Sequence, residues 1–434
     1  MLNNQNIYNY KKILVYGLGK SGLSTFKFLK NKNEIYLYDD KKIIDRDKKI
    51  KKNLISHQQL LKKTIDHIII SPGIDINKCS LRNYLKKNYK KIATDLDIFN
   101  NFYNKNKKIT ITGTNGKSTT ARILYEVLRD QNFDVRIVGN IGNPILLEKN
   151  ITSKTIFVVE ASSYQLEYSK LFKSNISVIL NISPDHLERH KTLKNYVKAK
   201  FKIVKNQNQK DYAILNMNNL YIRNEVKFKK FLPKLIKVYK YPDIKLLKNI
   251  DNPYFYSEGN RENLSFIFEI AKILKIKKKD LFKTLKNFKG LKYRQQIIFK
   301  SKNLTIINDS KSTSFSSSVS ILKLMSNVSW IVGGLAKKGD KFSLQKNDCT
   351  NLKAYIYGKN KNIFKNKLKN IVKYETFANL KILIKEIFSD MKIDKNLKHK
   401  IILFSPAAAS FDSFKNFEER GEYFNNLIKK YNNA

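Results

Sequence analysis

A short loop in the first third of the sequence carries residues of the types and spacing that bind phosphate groups. Residues 109–120 read ITITGTNGKSTT, an apolar run interrupted by Gly113 and Gly116 and followed by Lys117 and Ser118. Glycines let consecutive backbone N–H groups turn toward an anion, and the start of a following helix adds partial positive charge. A lysine here reaches the outer phosphates, and a serine hydroxyl can bind Mg²⁺. The loop therefore predicts binding of ATP or GTP.

A plain turn between a strand and a helix is the alternative explanation of this loop. Ile111 stands where the commonest nucleotide loop has its first glycine, so the sequence has the shorter T-G-T-N-G-K-S form. A turn alone does not require lysine and serine to follow the glycine, which favours the phosphate-binding interpretation. The residues that follow, 121–130, are predicted to form a helix.

A second glycine-rich loop, GLGKSG at residues 17–22, follows a predicted strand over residues 12–16. With Asp39 at the end of the next predicted strand, this pattern is typical of NAD-binding proteins, but the same loop suits any diphosphate. No later segment resembles a hydride-transfer site, so we interpret the loop as diphosphate-binding. Ser71 and Gly73 follow a third predicted strand, and they either line the same cleft or form a plain turn.

Two further polar side chains follow apolar strand-like runs and are candidates for binding a metal or a substrate. Glu160 ends the run in VVEASSYQLE, so its charge should be balanced either by Mg²⁺ shared with Ser118 or by a nearby lysine. His186 follows another such run, and Asp185 beside it is placed to orient the imidazole ring. A loop histidine is as often an ordinary surface residue, so both interpretations of His186 stay open.

Composition argues against several classes of protein. A length of 434 residues predicts two to four domains. The formal net charge of +49 comes from lysines spread over the whole sequence, so we expect anionic small-molecule substrates and no nucleic-acid partner. Cys79 and Cys349 lack the spacing of a disulfide framework or a zinc site. No apolar run approaches the length of a membrane span and the N-terminus is polar, so we expect a cytoplasmic protein without membrane insertion.

Strand-like runs alternate with helical ones, which is the pattern of an α/β fold with mostly parallel sheets. We predict strands over residues 12–16, 35–38, 65–70, 156–159, 176–182, 212–215, 304–307, 329–332, 354–357 and 400–404. Most of the polar motifs follow the carboxyl end of a predicted strand, where parallel sheets bind ligands. The scattered residues are therefore expected to form one site assembled between domains.

Six motifs together resemble those of the Mur ligase family: TGTNGKST, VVEASSYQLE, GNIG, NISPDHLERH, INDSKST and SPAAASFDSFKNFEERG. The last is most similar to the D-glutamate-adding branch, and the resemblance covers essentially the whole sequence. The phosphate loop is shared with folylpolyglutamate synthases and other Mur ligases, so a ligase with another substrate is the nearest alternative. The resemblance implies a Rossmann-like UDP-substrate domain over residues 1–104, a central P-loop ATPase domain over 105–290 and a Rossmann-like amino-acid-binding domain over 291–434.

The activity implied by the resemblance is ATP-driven formation of an amide bond in peptidoglycan synthesis. The carboxylate of UDP-N-acetylmuramoyl-L-alanine attacks the γ-phosphate of ATP, and the amine of D-glutamate then displaces phosphate from the acyl phosphate. Positioning and charge neutralisation supply most of the catalysis in such reactions. The resemblance further implies two Mg²⁺ sites. We also expect the enzyme to be a monomer.

The same resemblance assigns roles to individual residues. The catalytic residues would be Lys117, His186 and a carbamylated Lys200, which has Lys198 and Lys202 as neighbours. Mg²⁺ would be held by Ser118, Glu160, His186 and Lys200. ATP would contact Gly113, Thr114, Asn115, Gly116, Lys117, Ser118, Thr119, Asn260, Asn263, Arg294 and Asp309. The UDP-linked substrate would contact Gly17, Leu18, Gly19, Lys20, Ser21, Gly22, Asp39, Ser71, Gly73, Asn140 and His186. D-Glutamate would contact Thr313, Lys337, Ser410 and Phe417.

Overall fold

The computed structural model describes residues 6–41, 48–323, 325–336, 340–393 and 399–432. The chain divides into two compact units, the first formed by Met1–Ile250 and Arg261–Lys286 and the second by Asp251–Asn260 and Asn287–Ala434. Within the described ranges, strands and helices alternate along most of the chain.

The elements are numbered here in chain order. The strands are β1 Lys12–Tyr16, β2 Glu34–Tyr38, β3 His67–Ile70, β4 Ile92–Ala93, β5 Lys108–Thr112, β6 Val135–Gly139, β7 Ile156–Glu160, β8 Ile176–Ile179, β9 Tyr212–Asn216, β10 Lys234–Val238, β11 Gln296–Lys300, β12 Leu304–Asn308, β13 Val328–Gly333, β14 Leu352–Tyr357, β15 Lys373–Phe377 and β16 Lys400–Phe404. The α-helices are α1 Lys20–Leu29, α2 Lys48–Lys51, α3 His57–Leu61, α4 Arg82–Lys87, α5 Asp95–Phe102, α6 Lys117–Asp130, α7 Ser163–Glu167, α8 Leu187–His190, α9 Leu193–Phe201, α10 Leu220–Phe228, α11 Ile244–Ile250, α12 Glu258–Ile273, α13 Lys278–Asn287, α14 Phe315–Leu322, α15 Lys361–Leu368, α16 Leu380–Ile393 and α17 Phe417–Asn432. Short 3-10 helices lie at Tyr89–Lys91, Lys202–Val204, Pro253–Phe255 and Lys346–Cys349.

The first unit contains two parallel sheets. One has four strands in the order β2-β1-β3-β4, and the other has six in the order β10-β9-β8-β5-β7-β6. Strands β5 and β7 at the middle of the larger sheet are buried along their whole lengths. Parallel strands that are covered on both faces read as continuous apolar runs, as the residues before Glu160 in β7 do.

A common apolar core joins the two sheets of the first unit. Phe99 of α5 packs edge-on against Phe157 of β7, with ring centroids 4.7 Å apart. Asp97 of the same helix accepts hydrogen bonds from the Ser169 hydroxyl at 2.7 Å and from the backbone N–H groups of residues 170–172 at 2.8–3.1 Å. A buried carboxylate that accepts this many donors fixes the segment after α7 to the helix that follows the smaller sheet.

The second unit contains one six-stranded sheet in the order β11-β12-β16-β13-β14-β15. All of its pairs are parallel except β11 with β12. Trp330 of β13 is fully buried and stacks on Phe342 with centroids 5.6 Å apart. This pair belongs to an apolar cluster that also contains Phe315 and Phe364.

The predicted α/β class is confirmed, since all three sheets are wholly or mainly parallel. The bounds of β1 and β16 agree with the predicted strands, whereas β3 begins at His67 rather than at residue 65. Helix α6 begins at Lys117, before the predicted residue 121, because the loop already turns into the helix at Gly116. A membrane-crossing helix, which must be long and apolar, does not occur within the described residues.

Candidate active site

The phosphate loop lies between the buried strand β5 and the helix α6 in the larger sheet of the first unit. Gly116 caps the helix in the left-handed conformation, with φ of 81°. A Cβ atom at this position would lie 2.2 Å from Oδ1 of Asn263, so both the backbone conformation and the space require glycine. Ser118 and Thr119 follow in the first turn of α6, and the start of a helix favours a bound anion.

Two lysines converge on one carbonyl of this loop. Lys117 donates from Nζ to the carbonyl oxygens of Gly113 at 2.9 Å and Thr114 at 2.8 Å. Lys200 of α9 donates to the same Gly113 oxygen at 2.7 Å. The backbone that is expected to receive phosphates therefore has two lysine side chains beside it.

Lys200 differs from its lysine neighbours in burial. It is 1% exposed, and its Nζ lies 4.6 Å from the ring centroid of Tyr196. Burial, followed by the charge of Lys117, holds the pKa of Lys200 well below its usual value. Lys198 is exposed and Lys202 donates to the carbonyl of Glu167. A desolvated lysine is the one that can offer a neutral, nucleophilic amine.

Glu160 has one satisfied and one unsatisfied carboxylate oxygen. It is fully buried at the end of β7, and Oε1 accepts a hydrogen bond from Nδ2 of Asn140 at 2.8 Å. Among the described residues, Oε2 is buried without a hydrogen-bond partner. Leaving a buried carboxylate oxygen unpaired is costly, so this atom is suited to a bound cation. Among the described residues no lysine donates a hydrogen bond to Oε2, so the alternative that a lysine balances this charge is not observed.

His186 lies at the carboxyl end of the loop after β8, in the left-handed conformation with φ of 53°. Its Nε2 is 3.4 Å from Oδ2 of Asp185, and its Nδ1 is 3.6 Å from Oε1 of Glu188. The ring packs beside Tyr164, with centroids 4.9 Å apart, and the side chain is 44% exposed. The expected neighbour Asp185 is therefore in place, and the ring is accessible to a ligand.

Several supporting contacts near the loop were not predicted from the sequence, although Asn181 and His190 lie in the NISPDHLERH motif. Asn181 accepts from the Asn115 N–H at 2.8 Å and donates to Glu262 at 2.5 Å. Tyr241 donates to the other oxygen of Glu262 at 2.9 Å. His190 is buried with Nε2 3.0 Å from the Ser163 hydroxyl, and burial followed by the charge of Arg189 lowers the pKa of His190 to about 4. These contacts join positions far apart in sequence, so no local motif indicates them.

The second glycine-rich loop, between β1 and α1, is held together by short backbone contacts. Gly17 has φ of 90°, and a Cβ atom there would lie 2.9 Å from Cβ of Ser71. The Ser71 hydroxyl donates to the carbonyl of Gly17 at 2.6 Å. A Cβ atom on Gly22 would lie 1.8 Å from the same carbonyl oxygen, so the first turn of α1 approaches the loop closely. Gly73 lies in open space, as does Gly19.

Carboxylates surround this second loop. Asp39 accepts from the Leu18 N–H at 2.6 Å and from the Lys41 N–H at 2.9 Å. Asp95, which is buried, hydrogen-bonds Ser21, and burial raises the pKa of Asp95 to about 6. Lys20 at the start of α1 is exposed. One N–H group of the loop, that of Leu18, is therefore already bonded to a carboxylate. Lys20 is the lysine of the GLGKSG segment.

The second unit contains the remaining predicted residues. Asp309 is buried, accepts from the Ser405 hydroxyl and the Gln295 N–H at 3.0 Å each, and burial raises its pKa to about 7. The charge of Arg294 opposes that shift. Asn260 is buried and donates to the carbonyl of Tyr254 at 2.7 Å. Both carboxylate oxygens of Asp309 therefore accept a hydrogen bond. Asn260 connects the first turn of α12 to Tyr254 in the preceding 3-10 helix.

The residues expected to contact D-glutamate have different environments. Thr313 is exposed and Ser410 is 2% exposed. Phe417 begins α17, and its ring receives Nζ of Lys311 at 4.1 Å from the centroid. Lys337 lies outside the described residues. Near this set, Arg420 is fully buried and donates to the hydroxyl and carbonyl of Ser310, a contact that sequence reasoning missed.

Comparisons with known proteins identify the family. Residues 111–242 match the Mur ligase middle domain and residues 11–93 match the MurD-like N-terminal domain of Mur ligases. The UDP-N-acetylmuramoylalanine--D-glutamate ligase of Rickettsia prowazekii is 34% identical over 98% of this chain and 99% of that protein. The chain belongs to the Mur ligase family. The ligase of the same name from Francisella tularensis is 32% identical, over 96% of this Mur ligase and 95% of the relative.

Solved structures of Mur ligases have the same fold at low sequence identity. UDP-N-acetylmuramate-alanine ligase MurC from Thermotoga maritima superposes with a TM-score of 0.56 at 16% identity, covering 98% of this Mur ligase and all of that chain. MurF ligase from the same organism, solved in complex with ADP, gives a TM-score of 0.54 at 14% identity over 99% of this chain and 97% of the other. These likenesses agree with the α/β architecture described above.

Proposed function

We propose that this chain is the ATP-dependent ligase that joins D-glutamate to UDP-N-acetylmuramoyl-L-alanine in peptidoglycan precursor synthesis. The observation that carries this conclusion is the similarity to ligases of that name along nearly the whole chain, at 34% identity for the Rickettsia prowazekii protein. The geometry of the phosphate loop agrees with it, because Lys117 and Lys200 lie beside a backbone arranged for an anion.

The proposed reaction proceeds in two steps. A carboxylate oxygen of the substrate attacks the γ-phosphorus of ATP, forming an acyl phosphate and releasing ADP. The free amine of D-glutamate then attacks the acyl carbon, and the tetrahedral intermediate expels phosphate and loses a proton. ATP is needed because a carboxylate is a poor acyl donor until one of its oxygens becomes a phosphate leaving group.

Lys117 and the backbone of the loop would stabilise the charge that develops on the transferred phosphate. The Lys117 ammonium donates hydrogen bonds to the carbonyls of Gly113 and Thr114. From this position its side chain can reach a phosphate bound at the start of α6. Fixed cations and N–H groups need no reorganisation during the step, which makes their contribution large. We assign Asn263 to the nucleotide side of the loop because it lies against Gly116.

The residues around Glu160 fit a Mg²⁺ ion. The unsatisfied Oε2 of Glu160 supplies a buried anionic oxygen, and Asn140 fixes the other oxygen so that the carboxylate keeps one orientation. Magnesium prefers oxygen ligands and keeps few from the protein, so Glu160 and the Ser118 hydroxyl are a sufficient set together with phosphate oxygens. When bound, Mg²⁺ would reduce the negative charge on the phosphates.

Lys200 is suited to form a carbamate. A neutral amine attacks CO₂ and loses a proton, which gives a carbamate anion in place of an ammonium ion. The low pKa of Lys200 provides the neutral amine, and Lys117 at the same carbonyl would pair with the anion formed. We propose that this carbamate, with His186, contributes to a second Mg²⁺ site. A ¹³C carbamate resonance on addition of labelled bicarbonate, absent from Lys200→Arg, would support it.

The other predicted residues keep the roles that the family resemblance gave them, as proposals. The GLGKSG loop with Asp39 would bind the UDP-linked substrate, and Thr313, Ser410 and Phe417 would bind D-glutamate. The three separate sheets support a division into the segments 1–104, 105–290 and 291–434. We further propose that the enzyme is monomeric and acts in the cytoplasm, where ATP and nucleotide-linked sugars are available.

An amino-acid specificity assay tests this function. The purified chain is given ATP, Mg²⁺ and UDP-N-acetylmuramoyl-L-alanine, and phosphate release is followed with D-glutamate, L-glutamate, L-lysine or diaminopimelate. We expect release with D-glutamate only, together with a product heavier by one glutamyl residue in mass spectrometry. Turnover with L-lysine or diaminopimelate but not with D-glutamate would assign the chain to another branch of the family.

A further inference from the structure

A cavity of about 660 Å³ opens in the first unit, beside β10 at the edge of the larger sheet, and no step of the proposed reaction uses it. It is formed by the end of β10 and the segments α11, α12 and α13. This volume is in the range of about 300–1,000 Å³ that is usual for small-molecule sites. The cavity is therefore large enough for an organic ligand.

The walls of the cavity are mainly apolar. The apolar lining includes Val238, Leu246, Phe268, Ala271, Leu281 and Phe282. The rings of Phe268 and Phe282 face each other with centroids 6.2 Å apart, and both are only partly buried. Binding of a ligand that removes a concave apolar surface of this kind from water is favourable.

The charged residues that line the cavity are mostly lysines. They are Lys237, Lys240, Lys272 and Lys278, with Glu269 as the one acidic residue of the lining. Glu269 forms an ion pair with Lys272 at 2.6 Å, and Nζ of Lys278 lies 5.3 Å from the ring centroid of Phe282. The cavity thus combines an apolar interior with an excess of positive charge.

The cavity is separate from the phosphate loop, although both contact α12. Ser265, Phe268 and Lys272 line the cavity, and on a helix they share one face. Asn263, which lies against Gly116 of the phosphate loop, falls on the opposite face of the same helix. A ligand in the cavity and a nucleotide on the loop should therefore bind at the same time.

Protection of a sheet edge explains only part of this arrangement. Lysines on an edge strand discourage pairing with another chain, and Lys237 on β10 serves that purpose. Lys272 and Lys278 lie on helices, and a protected edge does not need a concave aromatic wall. The lysines and the apolar walls together fit one class of ligand, an apolar body that carries a negative charge.

We propose that this cavity is a binding site for a small amphiphilic anion, a molecule whose apolar body packs against Phe268 and Phe282 and whose single carboxylate, sulfonate or phosphate group faces the lysines. The apolar walls supply affinity, and the lysines select the sign of the charge. The site is independent of the ligase reaction and of the residues assigned to it.

Fluorescence titration of the full chain with anilinonaphthalene sulfonate tests the proposal. We expect saturable binding of one dye per chain, unchanged by saturating Mg²⁺ and ADP and reversed by decanoate, with no displacement by decyltrimethylammonium at the same concentration. Displacement by ADP would place the dye on the nucleotide loop and overturn the proposal. Equal displacement by the cationic and anionic competitors would also overturn it.

Charge-reversal variants locate the dye. Lys240→Glu combined with Lys278→Glu should weaken dye binding about fivefold to tenfold, since two exposed attractive pairs are replaced by repulsive ones. The matched control combines Lys245→Glu and Lys283→Glu on α11 and α13, which make the same change in net charge at exposed positions outside the cavity. Equal weakening by the two pairs would show a general charge effect and contradict a defined site. Retained circular dichroism and ligase turnover in all variants would show that the fold is intact.

Discussion

Two glycine-rich loops of the first unit follow parallel strands and start helices, yet they present opposite charges. In the loop before α6, Lys117 and Lys200 both donate to the carbonyl of Gly113. In the loop before α1, the carboxylate of Asp39 already accepts the Leu18 N–H at 2.6 Å, and Asp95 hydrogen-bonds Ser21 below the helix start. The spacing of glycines gives both loops the same backbone shape, whereas the surrounding side chains determine which anion each can hold.

This contrast explains why a glycine pattern alone is weak evidence of function. The Lys117 ammonium and a buried carboxylate with an unsatisfied oxygen make the first loop suitable for a triphosphate with its metal ion. The second loop has one exposed lysine among carboxylates, and carboxylates accept hydrogen bonds from ribose hydroxyls and base N–H groups. The two loops are therefore expected to respond differently to matched substitutions.

The largest effect is expected from removing the lysine of each loop. Lys117→Ala should lower ATP-dependent phosphate release about 10²–10³-fold, because a fixed cation is lost from the transferred phosphate. Lys20→Ala removes the lysine at the start of α1, and it should change the KM for the UDP-linked substrate while the KM for ATP stays the same. Steady-state kinetics measure both. If both variants lost ATP turnover equally, the contrast between the loops would be wrong.

The next largest effect concerns Glu160. Glu160→Gln removes the charge of a buried carboxylate, so in metal-free buffer we expect the thermal midpoint to stay the same or rise. With Mg²⁺ and ADP, the wild-type chain should gain stability and the variant should gain much less, since the ligand-linked increase depends on metal affinity. Differential scanning fluorimetry with and without Mg²⁺ measures this. Equal stabilisation of both proteins by Mg²⁺ and ADP would exclude Glu160 as a ligand.

A smaller effect separates the glycines of the two loops. Gly116→Ala places a methyl group against Asn263 in a left-handed conformation, and we expect it to lower the free energy of unfolding by about 1–3 kcal/mol. Gly19→Ala meets no atom within 4 Å and has φ of −71°, so its cost should stay below about 1 kcal/mol. Urea denaturation of each variant measures the difference. A larger loss for Gly19→Ala would contradict the geometry of both loops.

The smallest effect is a pH dependence near the phosphate loop. Burial lowers the pKa of His190 from 6.5 to about 4 in the folded chain. Between these values the unfolded chain binds more protons, so acid favours unfolding and stability rises with pH through this window. His190→Gln should flatten that part of the profile of unfolding free energy against pH. An unchanged slope from pH 4 to 6.5 would show that His190 is not buried as a neutral ring.

The sequence predicted the interior strands and, among the edge strands of the described sheets, only β2. Strands β4, β6, β10, β11 and β15 were not predicted, and each lies at the edge of its sheet. An edge strand is covered less completely, as the half-exposed residues of β10 and β15 show, so it lacks the continuous apolar run that marks a buried strand. The position of an edge strand depends on its partner more than on its own residues.

Around the candidate site, local motifs indicated the loops but not the contacts that hold them. The motifs pointed to Lys117, Glu160 and Lys200, but Asn181 and Glu262 support Asn115 from positions 66 and 147 residues further along the chain. Burial of Lys200 likewise follows from packing of α9 against the loop, and no spacing in the sequence distinguishes it from Lys198. The distant partners are visible only once the strands are arranged in a sheet.

Oxygen transfer from the substrate carboxylate tests the account most directly. UDP-N-acetylmuramoyl-L-alanine labelled with ¹⁸O in its carboxylate is incubated with the enzyme, ATP, Mg²⁺ and D-glutamate, and the released phosphate is examined by ³¹P NMR. An acyl phosphate intermediate predicts one ¹⁸O in each phosphate, because the attacking carboxylate oxygen leaves with the phosphorus. Phosphate without label, formed together with the amide product, would contradict activation of the carboxylate by ATP.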